Sequence, residues 1–293
     1  MQEVMGPLPG SEKRSPLEVK IEEEVDCGSY VRRLLTYQAE PGSRVPAYVL
    51  IPKAALAGKE QAHGVLCLHQ TRREGQKVVV GLADSPNDHY AVELAERGYV
   101  CIAPPYPLLA NYAPDLKKLG HVSGTMKAIW DNMRALDLLE SLSYVRKGEF
   151  AAIGHSLGGH NSLYTAAFDP RIKVVATSCG FDSYRDYKDG DIRGWTSERY
   201  MPRLLEFAPD KFPFDFPDVL AAIAPRTIFV SAPKGDTNFK WESVDRVVAA
   251  ARPVFELYGA ADEVIVRHPD VGHVFTPEMR RAAYDVMDRV LRE

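Results

Sequence analysis

The period of the apolar positions changes along the chain, and each change marks a different kind of element. Residues 17–25 (LEVKIEEEV), 30–39 (YVRRLLTYQA) and 44–52 (RVPAYVLIP) alternate or are β-branched, with hairpin-length gaps between them. That pattern predicts three strands of an antiparallel edge. From residue 62 the apolar runs become continuous, as strands buried on both faces require: 63–69 (HGVLCLH), 99–105 (YVCIAPP), 149–156 (EFAAIGHS), 171–179 (RIKVVATSC), 226–233 (RTIFVSAP) and 262–269 (DEVIVRHP).

Between these runs the spacing turns helical. Residues 88–98 end at a glycine, a common helix stop. Residues 123–142 form a long amphipathic stretch, with Met126, Ile129, Met133, Leu136 and Leu139 or Glu140 tracing the period. Further helices are predicted over 157–169, 241–259 and 276–293, the last with proline in its first turn. Alternating strands and helices imply an α/β architecture: a mostly parallel central sheet with helices on both faces. Residues 1–16, rich in proline, glycine and charge, read as a loose N-terminal leader, and 17–293 as a single domain. Residues 180–224 break the rhythm with many aromatics and aspartates. They read as a lid-like insertion over one end of the sheet, too short and too punctuated by proline to hold its own core.

Composition narrows the function. The chain has 293 residues, 45% of them hydrophobic and 26% charged, and carries a formal charge of −4 without a long run of one sign. Nucleic acid is not expected as a partner, because phosphate recognition needs a concentrated basic surface; the basic stretch 71–77 is short. No run approaches the roughly 20 apolar residues of a membrane span, and no membrane partner is expected. The first residues lack the apolar core of a secretory signal, so the expectation is a cytoplasmic protein, or a secreted one whose signal was removed. Cys27, Cys67, Cys101 and Cys179 make neither a disulfide framework nor a zinc motif, and no metal or organic cofactor is implied. Cys67 and Cys101 fall on strands that are candidates to be neighbours. Oligomerisation is left open.

The candidate chemistry lies at Gly154-His155-Ser156-Leu157-Gly158, which fits G-x-S-x-G after a predicted strand and at the opening of a helix. Glycines give room for a tight strand-to-helix turn that holds the serine hydroxyl out at the carboxyl end of the sheet. An ordinary structural turn would read the same way out of context. A serine needs a base. His273, in PDVGHVFTPE after the last strand, has the right place; His268 lies inside a strand, His155 belongs to the turn, and His160 sits on the following helix. The histidine needs an acid. Asp236 follows the strand ending near Ala232, whereas Asp262 precedes a strand and Asp270 shares the histidine's own loop. The backbone N–H of Leu157 is one candidate oxyanion donor.

The strand order together with GHSLGG, APKGDTN and DVGHVF resembles the α/β-hydrolase superfamily, over roughly residues 45–293. Within it the chain resembles the dienelactone-hydrolase-like and acetyl-xylan-esterase-like serine esterases. The resemblance implies a catalytic triad of Ser156, Asp236 and His273. It also implies a second oxyanion donor from the loop His69-Gln70-Thr71: the N–H of Thr71, with Gln70 in reserve. Gln70 replaces the glycine usual after that histidine, and serine stands where dienelactone hydrolases proper have cysteine. The implied function is hydrolysis of a small-molecule carboxylic ester through an acyl-enzyme, with bulky, sugar-linked or lactone esters as candidates. Trp195 and Tyr200 in the insertion and Tyr106 in the PPYP loop are candidate substrate contacts, unless those aromatics only pack the insertion onto the sheet. Two rival readings are a serine peptidase of prolyl-oligopeptidase type and a non-catalytic binding protein on the same fold.

Overall fold

The computed structural model describes residues 1–58 and 61–293. Among the described residues nine strands form one sheet: β1 (Lys20–Asp26), β2 (Tyr30–Glu40), β3 (Ser43–Pro52), β4 (Ala62–Leu68), β5 (Val100–Ala103), β6 (Val145–His155), β7 (Ile172–Ser178), β8 (Thr227–Ser231) and β9 (Val264–Arg267). Their spatial order is β1-β2-β3-β5-β4-β6-β7-β8-β9. β1, β2 and β3 pair antiparallel, β3 joins β5 antiparallel, and β5 through β9 run parallel. The alternating segments therefore form the antiparallel edge and the continuous apolar runs the parallel centre.

The helices are α1 (Gln2–Met5), α2 (Lys53–Leu56), α3 (Tyr90–Glu96), α4 (Leu116–Leu119), α5 (Gly124–Ser141), α6 (Leu157–Phe168), α7 (Phe216–Ile223), α8 (Trp241–Leu257) and α9 (Pro277–Arg292). Period-two alternation along the central strands divides the core into two layers. Leu66, Leu68, Ala152, Val175, Ile228 and Val230 face α5–α8, whereas Val65, Cys67, Ala151, Ile153, Val174 and Phe229 face α3 and α9. Met126, Ile129, Met133, Leu136 and Leu139 are all buried in the first layer. Val65 pairs with Cys101 across β4 and β5, so Cys67 and Cys101 do lie on adjacent strands, as free thiols.

Two expectations change. The first sixteen residues are not loose: Val4 and Met5 are fully buried, and the Ser123 hydroxyl donates to the Met5 carbonyl. Two apolar side chains in a polar stretch suffice to dock it. Residues 180–224 are also more than an insertion. Their last part, α7, is the crossover helix that a parallel β7–β8 connection requires. It starts at a capping box of Asp215 and Asp218 and buries Val219, Leu220 and Ile223. No helix among the described residues is long and apolar enough to cross a membrane.

Candidate active site

The carboxyl ends of the parallel strands, where open α/β sheets place their ligand crevices, carry the candidate residues. Ser156 joins β6 to α6 at φ 53°, ψ −119°, outside the regions an L-residue ordinarily occupies. The surrounding glycines make this turn sterically possible. A Cβ on Gly154 would collide with the backbone of Gly158, and one on Gly158 with the carbonyl of Leu68. One on Gly159 would stand 2.7 Å from Thr177 Oγ1 and 2.9 Å from Gly180 Cα. The turn is fastened by Ser156 N–H donating to the Ser178 carbonyl at 2.8 Å, and by Gly159 N–H donating to the Ser156 carbonyl at 2.8 Å. The N–H of Leu157, at the first helical position, lies in the turn whose donors have no intrahelical partner.

Asp236 follows β8, and His273 follows β9. The two loops are zipped together by backbone bonds from Ala232 to Arg267, Lys234 to Pro269 and Gly235 to Val271, of 2.9, 3.0 and 3.0 Å. Residues 37 positions apart are thus held side by side: His273 Nδ1 lies 2.9 and 3.0 Å from the two Asp236 carboxylate oxygens. Asp236 Oδ1 also accepts from the N–H groups of Asn238 and Phe239. Burial pushes this carboxyl up, but the His273 hydrogen bond and charge and the two N–H groups outweigh it, so its pKa lies below the ordinary value. With Nδ1 engaged by the carboxylate, Nε2 is the nitrogen left to act on another group. His273 and Ser156 line the same cleft, of about 320 Å³, with Gln70, Thr71, Arg72, Asn87 and Asp88.

The loop after β4 is fixed by His69, a fully buried ring. Its Nδ1 lies 2.8 Å from the Gln70 carbonyl, and its Nε2 accepts from the Tyr106 N–H at 2.9 Å. These partners assign the proton to Nδ1. Burial lowers the pKa to about 4, so the ring is neutral. In a trans peptide the C=O and the following N–H point oppositely. Holding the Gln70 carbonyl toward the imidazole therefore turns the Thr71 N–H the other way, on the loop that lines the cleft. The Gln70 carbonyl and the Thr71 N–H share one peptide, so this anchor fixes the Thr71 N–H, whereas the Gln70 N–H belongs to the preceding peptide, which this bond does not orient.

The other candidates separate. The Tyr106 ring is buried against Leu157 and Ala128, and its hydroxyl lies 3.1 Å from Thr125 Oγ1, so its polar end is turned into the protein. Tyr200 is half-buried, with its hydroxyl 3.4 Å from Thr71 Oγ1. Trp195 is buried among His160, Tyr184, Tyr187, Tyr200, Phe216 and Phe239, which makes it mainly a packing residue of this segment. The His155 ring packs tilted against His273 with centroids 4.9 Å apart, and burial together with the His273 charge lowers its pKa to about 4. His268 is occupied by the Ala232 carbonyl and Asp245.

Two neighbours were not legible in the sequence. Phe239 packs on His273 with centroids 6.1 Å apart. Cys179, expected as a buried strand cysteine, instead follows β7 at φ 49°, and its sulfur lies within 4.8 Å of the Asp236 and His273 donor atoms. Burial pushes that thiol well above its ordinary pKa, and the carboxylate and imidazole already bond each other, so the trio is a poor fit to a metal centre.

No family model matches the chain. It is 29% identical over 164 residues to the curated protein "Putative hydrolase YtaP" of Bacillus subtilis strain 168, a match covering 56% of this chain. It spans about half, 53%, of that relative. Solved structures align over more of its length. A glucuronoyl esterase from Solibacter usitatus superposes with a TM-score of 0.77 at 18% identity, covering 99% of this chain and 89% of that one. A glucuronoyl esterase of carbohydrate esterase family 15 from Caldicellulosiruptor kristjansonii gives 0.70 at 20%, covering 99% and 82%. A "putative acetyl xylan esterase" from Bacteroides fragilis gives 0.68 at 20%, covering 91% and 72%. With this strand order and the serine turn at the end of β6, the chain has the α/β-hydrolase fold.

Proposed function

We propose that the protein is a serine-dependent hydrolase that cleaves carboxylic esters through an acyl-enzyme intermediate. The observation that carries this reading is the pairing, in one cleft, of a serine held at φ 53° with a histidine whose Nδ1 is engaged by a buried aspartate. Nε2 of His273 takes the Ser156 proton as Oγ attacks the ester carbonyl, and Asp236 stabilises the imidazolium that forms. The Leu157 and Thr71 N–H groups face the developing oxyanion. His273 then returns the proton to the departing alcohol. A water, deprotonated by the same nitrogen, attacks the acyl-serine and releases the acid.

The proposed substrates are esters of hydroxylated, sugar-type compounds. Two features support this: the polar cleft with Arg72, Asn87 and Asp88 beside the serine, and the carbohydrate-esterase names of the structures that share the fold. The partner is a small molecule, and no step calls on a metal. Hydrolysis of 4-nitrophenyl acetate by the protein and by Ser156→Ala tests the reading. Loss of the hydroxyl is expected to lower kcat on the order of 10⁴-fold or more. Equal rates would overturn it.

A further inference from the structure

A second cavity, of about 560 Å³ and so larger than the cleft at Ser156, lies at the opposite end of the sheet. It is built where the parallel strands begin. Ala62 and His63 open β4, Arg146 is the second residue of β6, and Gly98 stands just before β5. The length of β4, roughly 20 Å, separates it from the loop of Thr71. Three guanidinium groups from three separate elements line it: Arg97 from the turn after α3, Arg146 from β6 and Arg292 from the end of α9. Among the described residues no carboxylate lines it.

Two of these arginines are fixed in place. Arg292 Cζ lies 4.2 Å from the centre of the Tyr99 ring, and its Nη2 donates to the Arg97 carbonyl at 2.8 Å. Arg97 is held by α9, its Nε donating to Asp288 at 2.7 Å and its Nη2 to Asp285 at 2.5 Å. Arg292 Nη1 is also 3.3 Å from Asp288. A guanidinium has five N–H groups. Among the described residues these contacts leave Nη1 of Arg97 and Nε of Arg292 without a hydrogen-bond partner, and Arg146 is exposed with no ion pair. His63 feels the resulting field. The ring is buried, with Nδ1 3.4 Å from the Glu149 carbonyl. Burial lowers its pKa; the Glu149 hydrogen bond and charge oppose this, and the charges of Arg146 and Arg292 add to it. Arginines from β6 and α9 thus act on one imidazole.

Ion pairing explains why Arg97 and Arg292 sit against α9. It does not explain why Arg146 is gathered with them around a hollow, since like charges brought together repel. An anion in the hollow does. A carboxylate has two oxygens and matches one guanidinium fork, whereas a phosphoryl group has further oxygens to offer to several. We propose that this cavity binds a phosphoryl group, carried by a small molecule or as the free ion, through N–H groups of Arg97, Arg146 and Arg292. Ala54 and Ala55 supply an apolar wall for the remainder of a larger ligand. The site is separate from the ester cleft, and the proposal stands or falls independently of the hydrolase reading.

The test titrates glucose 6-phosphate, inorganic phosphate, glucose and glucuronate by calorimetry into the protein, Arg146→Gln and Arg146→Glu. Glucose 6-phosphate is expected to saturate one site per chain, with glucose silent and glucuronate weaker by roughly 10-fold or more. Arg146→Gln should raise the Kd for glucose 6-phosphate roughly 10-fold, and Arg146→Glu should raise it further. Both variants should melt with the parent and hydrolyse 4-nitrophenyl acetate at its rate, which shows that the loss is local. Inorganic phosphate binding as tightly as the sugar phosphate identifies the free ion as the ligand; tighter binding of glucose 6-phosphate identifies a phosphorylated small molecule. No saturable phosphate binding, a Kd unchanged in Arg146→Glu, or glucuronate bound as tightly as glucose 6-phosphate overturns the proposal.

Discussion

Ser156 holds its hydroxyl in place at a conformational cost, and the size of that cost can be predicted. Its φ of 53° and ψ of −119° differ from the left-handed region that asparagine or aspartate sometimes visits, where ψ is near +47°. Residues held in such sparsely populated regions are strained by about 1–3 kcal/mol. Ser156→Ala removes the hydroxyl but keeps the Cβ and hence the strain. Ser156→Gly removes both. Glycine costs about 0.5–1 kcal/mol through the extra freedom of the unfolded chain. The difference leaves Ser156→Gly more stable than Ser156→Ala by about 1 kcal/mol, within a range of about 0 to 2.5. At about 2.1 cal/mol/K of unfolding entropy per residue, 1 kcal/mol corresponds to roughly 1.6 °C in Tm for a chain of 293 residues. Calorimetry or urea denaturation of the two variants under identical conditions reads it directly, and both should be equally inactive. A glycine variant that melts below the alanine variant would refute the claim that this backbone is strained for the sake of the hydroxyl.

Further outcomes follow from the same geometry. Asp236→Asn should lower kcat on the order of 10⁴-fold with little change in Tm, since the amide can still meet Nδ1 but no longer stabilises the imidazolium; near-parent rates with 4-nitrophenyl acetate would show that Asp236 is not the acid. His69→Ala frees the Gln70–Thr71 peptide, so kcat should fall about 10²–10³-fold with KM little changed, and a change confined to KM would count against the Thr71 donor. Glu40 is buried, but hydrogen bonds and charge from His121 and Lys127 outweigh the burial and hold its pKa at about 2, against 4.5 for the free side chain. A depressed carboxyl stabilises the fold above its unfolded pKa and loses that contribution as pH falls through the folded value. Glu40→Gln should therefore weaken the protein at neutral pH and flatten its loss of stability between about pH 4.5 and 2. Parallel pH–stability curves for the two proteins would refute this.

The framework was legible because it is periodic. Continuous apolar runs such as 63–69 and 171–179 could only be strands covered on both faces, and the glycines around Ser156 announced a turn no other residue could make. The residues that repeat no pattern were harder to read. α7 is short and sits among aromatics, so only the Asp215–Asp218 capping box marked it. Val4 and Met5 are too few to form a run, yet both are buried. Lys127, on the buried side of α5, forms ion pairs with both Asp131 and Glu40, where a period of apolar positions predicts nothing polar. Asp236 and His273 were placed by the order of strands. What brings them together, the zipping of the loops after β8 and β9, is a matter of backbone pairing and leaves no side-chain signature.

The central claim is that Ser156 is a nucleophile activated by His273. Treatment with a fluorophosphonate at neutral pH, followed by mass mapping of the labelled peptide, tests it most directly. The account predicts one adduct per chain, located on Ser156 and lost or greatly slowed in His273→Ala. An unmodified Ser156, or labelling as fast without the imidazole as with it, would contradict the account.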